Sequence, residues 1–272
     1  MKVRLPNKLV VEGTSRSESR LMFKEVFEQN VYTKCGIDLH EGGVVLDVGA
    51  NIGMFALFLG QILREFTHYA FEPIPETFEM LRKNTSLLGD KVKAFNLAFA
   101  DREGRAVFTY CPRRPALSTC YPDELAKMWA DARGDLMGTG DVRRTGGRGF
   151  WRWVSDPVRS ILVDKLIDYA SVTQSRECRL MRLSDILADH QIARVDLLKV
   201  DVEGSEWDVL RGVEEADWGR IRQVAMEVHD VEGRAASISE WLRARGYEVA
   251  TRQEVWMIKY EMTMLYARRG VN

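Results

Sequence analysis

The chain has 272 residues, of which 46% are hydrophobic and 29% are charged, a balance that favours one large α/β domain with a buried core. Its formal net charge of −1 argues against general nucleic-acid binding, and no apolar run approaches the roughly 18 residues of a membrane span. The four cysteines show no CxxC spacing and the N-terminus lacks a signal-peptide pattern, so we expect reduced thiols in a cytoplasmic protein without a zinc site.

The predicted elements begin with a lead-in over residues 1–43, in which residues 19–28 have the apolar spacing of a helix. The first half of the core follows over residues 44–104. Its predicted elements are strands at 44–48, 68–71 and 92–97 and helices at 52–64 and 75–88. Strands that alternate with helices predict parallel pairing through right-handed crossovers.

The alternation breaks over residues 105–180, which we interpret as an insertion that covers the sheet as a lid. Its predicted parts are an extra strand at 105–110, helical segments at 122–132 and 151–169, and a glycine-rich loop at 134–149. The second half of the core, residues 181–272, resumes the alternation within the same domain. Its predicted elements are a short helix from 183, strands at 195–200 and 223–228, helices at 206–212 and 235–245, and an antiparallel pair at 247–251 and 262–267.

A glycine-containing turn, Asp47–Gly53, joins the first core strand to the first helix, as in nucleotide-binding loops. Asn51 stands where a dinucleotide fingerprint needs glycine, which disfavours NAD. Asp47 would repel a phosphate but can attract the ammonium of an aminoacyl group, and Glu72 after the second strand suits the ribose hydroxyls of an adenosine. The predicted cofactor-binding residues are Asp47, Gly49, Ala50, Asn51, Gly53, Glu72, Pro73, Asn96, Ala98 and Asp201.

Three segments, Val45–Gly53, Phe71–Pro73 and Leu198–Glu206, resemble the FkbM-type methyltransferases, and the resemblance covers most of residues 20–268. Further similarity is to the O-methyltransferases of polyketide and nonribosomal-peptide assembly lines. It rests on Glu206–Leu210, Ile221–Val224, Glu227–Asp230 and Leu265–Arg269.

The resemblance implies an S-adenosylmethionine donor and a hydroxyl, or less often a carboxyl, acceptor. It also implies a Rossmann-like class I methyltransferase fold of the α/β class, with a seven-stranded mostly parallel sheet, helices on both faces and a helical lid. The resemblance to the assembly-line O-methyltransferases also predicts that Ser118, Thr119 and Tyr121 contact the substrate.

Methyl transfer to a hydroxyl is helped by a base that takes the proton as the new bond forms. His229, just past the strand at 223–228, is the predicted base, and Glu227 lies on the same strand face to orient it. Asp201 and Glu203 end the neighbouring strand and are predicted to support catalysis, although both could instead cap the following helix.

Other interpretations stay open at this point. Asp201, Glu203, His229 and Asp230 could hold a divalent metal, which is not favoured because no fixed-spacing motif requires one. The chain could also be a module that binds S-adenosylmethionine without catalysing a reaction, which is the alternative function that is not enzymatic. The insertion could dock an acidic carrier protein that presents an acyl substrate, or it could be a solvated lid held by packed tryptophans. Its arginines and tryptophans are Arg133, Arg143, Arg144, Arg148, Arg152, Arg159, Trp129, Trp151 and Trp153.

Overall fold

The computed structural model describes residues 1–137, 156–254, 257–258 and 261–270. The strands are β1 (Lys2–Arg4), β2 (Val10–Glu12), β3 (Gly43–Val48), β4 (Phe66–Phe71), β5 (Val92–Phe95), β6 (Ala98–Phe99), β7 (Gly104–Tyr110), β8 (Gln174–Met181), β9 (Leu197–Val200), β10 (Gln223–His229), β11 (Tyr247–Arg252) and β12 (Met262–Arg269). The α-helices are α1 (Arg16–Phe23), α2 (Met54–Ile62), α3 (Pro75–Thr85), α4 (Pro122–Met137), α5 (Asp156–Ala170), α6 (Leu183–Asp189), α7 (Glu206–Arg211) and α8 (Arg234–Arg243).

The central sheet has the strand order β5–β4–β3–β9–β10–β12–β11. The first five strands in this order are mutually parallel, whereas β12 is antiparallel to both β10 and β11. This arrangement confirms the predicted seven-stranded, mostly parallel, Rossmann-like sheet. The predicted closing antiparallel pair is confirmed as well, with Val249 opposite Ala267.

Alternate residues of the central strands point into two apolar layers, one on each face of the sheet. Leu198 of β9 faces the layer formed with α6, α7 and α8, whereas Leu197 faces the layer formed with α1 and α2. Both leucines are fully buried, as a strand covered on both faces requires. The carboxyl ends of the parallel strands therefore open at one edge between the two layers of helices.

The lead-in holds more structure than its sequence predicts. The helix predicted at 19–28 is confirmed as α1 followed by a π-helical turn at Lys24–Glu28, but the hairpin of β1 and β2 was not predicted. Asn84 of α3 joins this hairpin to the first core turn, because its side-chain amide donates to the Glu12 carbonyl at 2.9 Å and the Ile52 carbonyl at 2.8 Å. The hairpin is thereby attached to the same turn that the cofactor prediction concerns.

In its described residues, the insertion contains the helices α4 and α5 and has strands at both ends. The predicted strand at 105–110 is β7, which pairs antiparallel with β8, and β6 completes a second sheet of order β6–β8–β7. Strand β8 was missed because its buried positions, Cys178 and Met181, are separated by Arg179 and Leu180 and so do not follow the period of two that is typical of a strand. The predicted glycine-rich loop beyond residue 137 lies outside the described residues, and so do Arg143, Arg144, Arg148, Arg152, Trp151 and Trp153.

A search of the helices in the described part of the chain finds none with both the length and the apolar character needed to cross a membrane.

Candidate active site

A cavity of about 1280 Å³ opens at the carboxyl ends of β3, β4, β9 and β10. The turn at Gly49–Ile52 and the end of β4 line one side of it. Glu203, Glu227 and His229 line the other side, and α1 and α4 contribute further walls. The structure thus brings most of the predicted cofactor residues, and all four predicted catalytic residues, to one cavity; Asp47, Gly53 and Asn96 do not line it.

The turn after β3 depends on two glycines in left-handed backbone conformations. Gly49 has a φ of +77°, and a Cβ added there would lie 1.7 Å from the Asp201 carbonyl oxygen. Gly53 has a φ of +87° and packs against α3, where a Cβ would lie 2.9 Å from both Leu81 and Thr85. Gly49 lines the cavity. Gly53 does not line it; because this residue has no side chain, the start of α2 can pack closely against α3.

Glu72 lies at the end of β4 and faces the turn. One carboxylate oxygen accepts the backbone N–H of Asn51 at 3.1 Å, and the other accepts that of Ile74 at 2.9 Å. The side chain lines the cavity although the residue is only 6% exposed, and burial raises the pKa of Glu72 to about 7. Glu72 is therefore placed to accept hydrogen bonds from a ligand seated against Asn51.

Asp47 does not face the cavity, so the expectation that it attracts a ligand ammonium directly is corrected by the structure. The residue is fully buried, with its carboxylate 2.8 Å from Lys199 Nζ and 3.2 Å from His68 Nε2. Burial disfavours the charged carboxylate, but Lys199 and His68 outweigh burial and hold the pKa of Asp47 below its usual value. The strand pleat turns this residue toward the interior, where it forms an ion pair.

Lys199 of β9 joins the two halves of the sheet at this buried position. Its ammonium donates to the Gly49 carbonyl at 3.1 Å and lies 3.8 Å from Asp201. Asp201 also accepts the hydroxyl of Tyr32 at 2.7 Å and lines the cavity. The predicted donor-binding Asp201 is thus oriented by two partners, Lys199 and Tyr32, that the sequence analysis did not assign.

The loop after β5 supplies only part of its predicted contacts. Ala98 lines the cavity, as does Pro73 after β4. Asn96 is exposed and does not line the cavity, because its amide donates to the carbonyls of Glu72 at 2.9 Å and Pro73 at 2.8 Å. Its placement beside an adenine is therefore not supported, and the side chain fixes the backbone of the Glu72 turn instead.

His229 lies at the end of β10 between two carboxylates. Its Nε2 is 3.2 Å from Glu203 Oε2, and its Nδ1 is 3.2 Å from Glu206 Oε1. Glu206 is fully buried and is fixed by Arg234 at 2.8 Å and by the backbone N–H of Gly204 at 3.0 Å. The orienting carboxylate of the imidazole is therefore Glu206, and not Glu227 as the sequence predicts.

The acidic surroundings change the protonation of this cluster. Burial disfavours the imidazolium, but Glu203 and Glu206 outweigh burial and hold the pKa of His229 well above its usual value. Burial, together with Asp201 and Glu203, raises the pKa of Glu227 well above its usual value, and the same three causes raise the pKa of Glu25 to about 7. His229 can therefore act as a neutral base only where something displaces the proton that the two carboxylates stabilise.

Three of these side chains could also hold a cation. One ligand atom each from Glu203, Glu227 and His229 lies within 4.8 Å of the others. Of the metal ligands considered from the sequence, Asp230 is not part of the group, because its carboxylate accepts the backbone N–H of Ala235 at 2.9 Å at the start of α8. Asp201, another ligand considered from the sequence, is not part of the group either, and the structure adds Glu227 to Glu203 and His229.

The predicted substrate contacts lie at the root of the insertion and line the cavity. The Thr119 hydroxyl donates to the Glu203 carbonyl at 2.7 Å, and the Tyr121 hydroxyl donates to Asp208 at 2.6 Å. Ser118 accepts the backbone N–H of Cys111 at 3.1 Å. Thr119 therefore attaches the insertion to the loop between β9 and α7, and Tyr121 attaches it to α7, whereas Ser118 acts within the insertion. The role of these residues in holding a substrate stays a prediction.

The sequence analysis missed the partners that set the charges of this site, namely Lys199, Glu206, Arg234 and Tyr32. One signal was present: Lys199 and Asp201 alternate along β9, so both side chains point to the face that carries Asp47 on the neighbouring strand. Arg234 and Tyr32 had no such signal: Tyr32 reaches the site from the distant lead-in, and the contact of Arg234 with Glu206 depends on how α8 packs after β10.

Comparison with known proteins shows which family the chain resembles. A family model described as the methyltransferase FkbM domain matches residues 47–249. The chain is 36% identical to the 31-O-demethyl-FK506 methyltransferase FkbM of Streptomyces tacrolimicus, over 98% of this chain and 96% of that protein. It is 33% identical to the AMB antimetabolite synthetase AmbE of Pseudomonas aeruginosa, over 99% of this chain but only 12% of the synthetase.

A solved structure shows the same fold. The crystal structure of a methyltransferase FkbM from Methylobacillus flagellatus superimposes with a TM-score of 0.52 at 12% identity, over 88% of this chain and 47% of that one. The family model spans the turn after β3, the end of β4 and the cluster around His229, which are the parts that line the cavity. On this evidence the chain belongs to the FkbM methyltransferase family and is an enzyme that transfers methyl groups.

Proposed function

We propose that this enzyme uses S-adenosylmethionine to methylate a hydroxyl group of a natural product, supplied free or as a carrier-protein thioester. The observation that carries the proposal is the single cavity lined by Asn51 and Glu72 on one side and by Glu203, Glu227 and His229 on the other. The names of the two relatives support oxygen as the acceptor and natural-product synthesis as the setting.

The cofactor side of the cavity suits the adenosine of the donor. Each oxygen of Glu72 already accepts one backbone N–H and keeps a lone pair for a ribose hydroxyl. Gly49 brings backbone to the cavity surface without a side chain in the way. The donor also carries an ammonium and a sulfonium, and the nearby carboxylates of Asp201 and Glu203 attract both positive charges.

The charges of the far side favour a hydroxyl over a carboxylate as the acceptor. Glu25, Asp201, Glu203 and Glu227 all line the cavity, and burial together with mutual repulsion raises the pKa of Glu25, Glu203 and Glu227, which shows that a further negative charge is disfavoured there. A carboxylate substrate would be repelled by these groups, whereas a neutral hydroxyl is not. The structure therefore favours the hydroxyl over the carboxyl alternative that the sequence left open.

The reaction is an in-line displacement at the methyl carbon. The acceptor oxygen forms a bond to this carbon while the bond from the carbon to sulfur breaks, and the electron pair of that bond stays on sulfur as S-adenosylhomocysteine. The hydroxyl proton passes to the cluster of Glu203, Glu227 and His229. The enzyme contributes alignment of oxygen, carbon and sulfur, exclusion of water by the insertion, and uptake of the proton.

The test is transfer from methyl-labelled S-adenosylmethionine to a panel of hydroxyl-bearing natural products, offered both free and as carrier-protein thioesters. Mass spectrometry of the intact products is expected to locate the label on a hydroxyl oxygen. Label on a carboxyl group, or donor binding without transfer to any member of the panel, would contradict the proposal. The second result would revive the non-catalytic binding module.

The His229→Ala variant tests the role of the cluster in turnover. We expect turnover on a hydroxyl acceptor to fall roughly 100-fold or more, with S-adenosylhomocysteine affinity nearly unchanged, because the imidazole acts on the acceptor side. His40→Ala is the matched control, since His40 is partly exposed and contacts Asp196. Unchanged turnover in His229→Ala would remove this residue from catalysis.

A further inference from the structure

The cluster at the end of β10 has the spacing of a metal site. Glu203 Oε2 and His229 Nε2 are 3.2 Å apart, and an oxygen of Glu227 completes a set whose members all lie within 4.8 Å. Neighbouring ligands of one divalent cation, each at about 2.0–2.3 Å from it, lie roughly 3 Å apart. The side chains also line the cavity, so a cation held among them would face the acceptor.

Glu227 gives a second, independent indication of a missing partner. The residue is only 9% exposed, and it lines the cavity. No described residue forms a hydrogen bond or an ion pair with its carboxylate, although other buried carboxylates of the site each have such partners: Glu72 two backbone N–H groups, and Glu206 Arg234 and His229. A carboxylate this deeply placed, which faces the cavity without a side-chain or backbone partner, is disfavoured in its charged form, and a bound cation would stabilise that form.

The other nitrogen of His229 is arranged as in known metal sites. A histidine that binds a metal commonly donates its second ring N–H to a carboxylate, which fixes the tautomer and the ring orientation. Here Glu206 lies 3.2 Å from Nδ1 and is itself fixed by Arg234 and the backbone of Gly204. With the proton on Nδ1, the lone pair of Nε2 points toward Glu203 and the cavity.

We propose that Glu203, Glu227 and His229 bind a divalent cation of the Mg²⁺ or Mn²⁺ type, with Glu206 as the outer-shell partner of His229. Two carboxylates and one imidazole suit these cations, and three protein ligands leave positions open for the acceptor oxygen. Glu25 and Asp201 add negative charge on the same side of the cavity, while Lys199 and Arg234 are already engaged by carboxylates.

A cation in this position deepens the proposed function. Held there, a cation would draw electron density from an acceptor hydroxyl and make its oxygen a better nucleophile. The hydroxyl proton would then leave to cavity water and not to the cluster, because the cation would occupy the acceptor atoms of Glu203, Glu227 and His229. The cation also takes the place of the proton on Nε2 of His229. Methyl transfer then proceeds as described above, with the electron pair of the broken carbon–sulfur bond remaining on sulfur. Metal binding is measured without donor or acceptor, so this proposal and the proposed function can fail separately.

The experiment is a titration of the full chain, freed of metal by chelation, with Mn²⁺ alone, followed by electron paramagnetic resonance and by calorimetry. We expect one saturable site per chain that Mg²⁺ displaces. Glu227→Gln and His229→Ala are each expected to weaken Mn²⁺ binding at least tenfold, and Glu206→Gln to weaken it roughly 10-fold through His229. Asp230→Asn is the matched control and should bind as the unaltered chain does, since the Asp230 carboxylate accepts the backbone N–H of Ala235 and lies outside the proposed ligand set.

The unaltered chain gives a decisive result even if a variant fails to fold. Absence of a saturable Mn²⁺ site would overturn the proposal and leave His229 as an imidazolium between two carboxylates. Saturable binding that Glu227→Gln leaves unchanged would place the metal elsewhere and would also overturn it. A circular-dichroism melt of each variant identifies any that has lost its fold.

Discussion

The two sides of the cavity are built in different ways. The cofactor side consists mainly of backbone: two glycines with positive φ, the N–H groups of Asn51 and Ile74, and the one carboxylate that they contact, Glu72. The acceptor side consists of charged side chains that fix one another across β9, β10 and α8. The backbone geometry of the cofactor side can be predicted from neighbouring residues in the sequence. The charge network of the acceptor side joins residues from different segments, so no single stretch of sequence predicts it. The following variants test this contrast.

The largest effect is expected at Gly49, where the backbone argument is strongest. A side chain there meets the Asp201 carbonyl at 1.7 Å and also opposes the positive φ. Gly49→Val should therefore lower the free energy of unfolding by at least about 4 kcal/mol, measured by urea denaturation. Gly104→Ala is the control, since it has open space and an ordinary φ and should change stability little. Equal stability in both variants would show that the turn tolerates a side chain.

Lys199→Met tests whether the buried charges hold the two sides together. The substitution leaves Asp47 buried with only His68 as an ionic partner and removes the donor to the Gly49 carbonyl. Loss of one partner of a buried pair is expected to cost about 3–5 kcal/mol of unfolding free energy. Lys93→Met, on the exposed side of β5, should change it by about 0.5 kcal/mol or less. A small effect at Lys199 would mean that Asp47 is satisfied without it.

The smallest effect concerns the pH dependence of cofactor binding through Glu72. Its carboxylate form accepts ribose hydroxyls, and its pKa is raised to about 7, so the competent fraction falls as the pH drops below that value. Affinity for S-adenosylhomocysteine, measured by calorimetry, should fall by roughly tenfold in all as the pH drops through about 7, and should level off on both sides of that transition.

Two variants separate Glu72 from other titrating groups in that measurement. Glu72→Gln should bind roughly tenfold more weakly than the unaltered chain at pH 8 and lose most of the pH dependence, because the amide does not ionise. Glu79→Gln, an exposed position on α3, should keep the full pH profile. A profile that persists in Glu72→Gln would assign it to another group, for which Glu25 is the first choice.

The sheet and the cofactor turn could be predicted because both follow local rules. Alternation of apolar strands with helices predicted the order of elements, and the glycines at 49 and 53 predicted the turn before α2. The hairpin of β1 and β2 and strand β8 escaped prediction, because three-residue strands and a strand rich in charged residues carry weak period-two signals.

The predictions for the site were weaker because they rested on side-chain direction. Asp47 was placed in the cavity from its position at the strand end, but the pleat points it at Lys199 and His68. Glu227 was taken as the partner of His229, yet Glu206, from a helix that follows the neighbouring strand, occupies that position. A contact between residues from two elements is decided by packing, which the spacing within one element does not record.

The contacts at the root of the insertion have a consequence for specificity. Thr119 attaches the insertion to the loop that carries Glu203, and Tyr121 attaches it to Asp208 of α7, the helix that follows this loop. An acceptor that fails to settle the insertion against this loop would leave Glu203 misplaced even while it occupies the cavity. Discrimination among acceptors should then be seen in the maximal rate more than in the half-saturating concentration, so binding strength alone would be a poor guide to the true substrate.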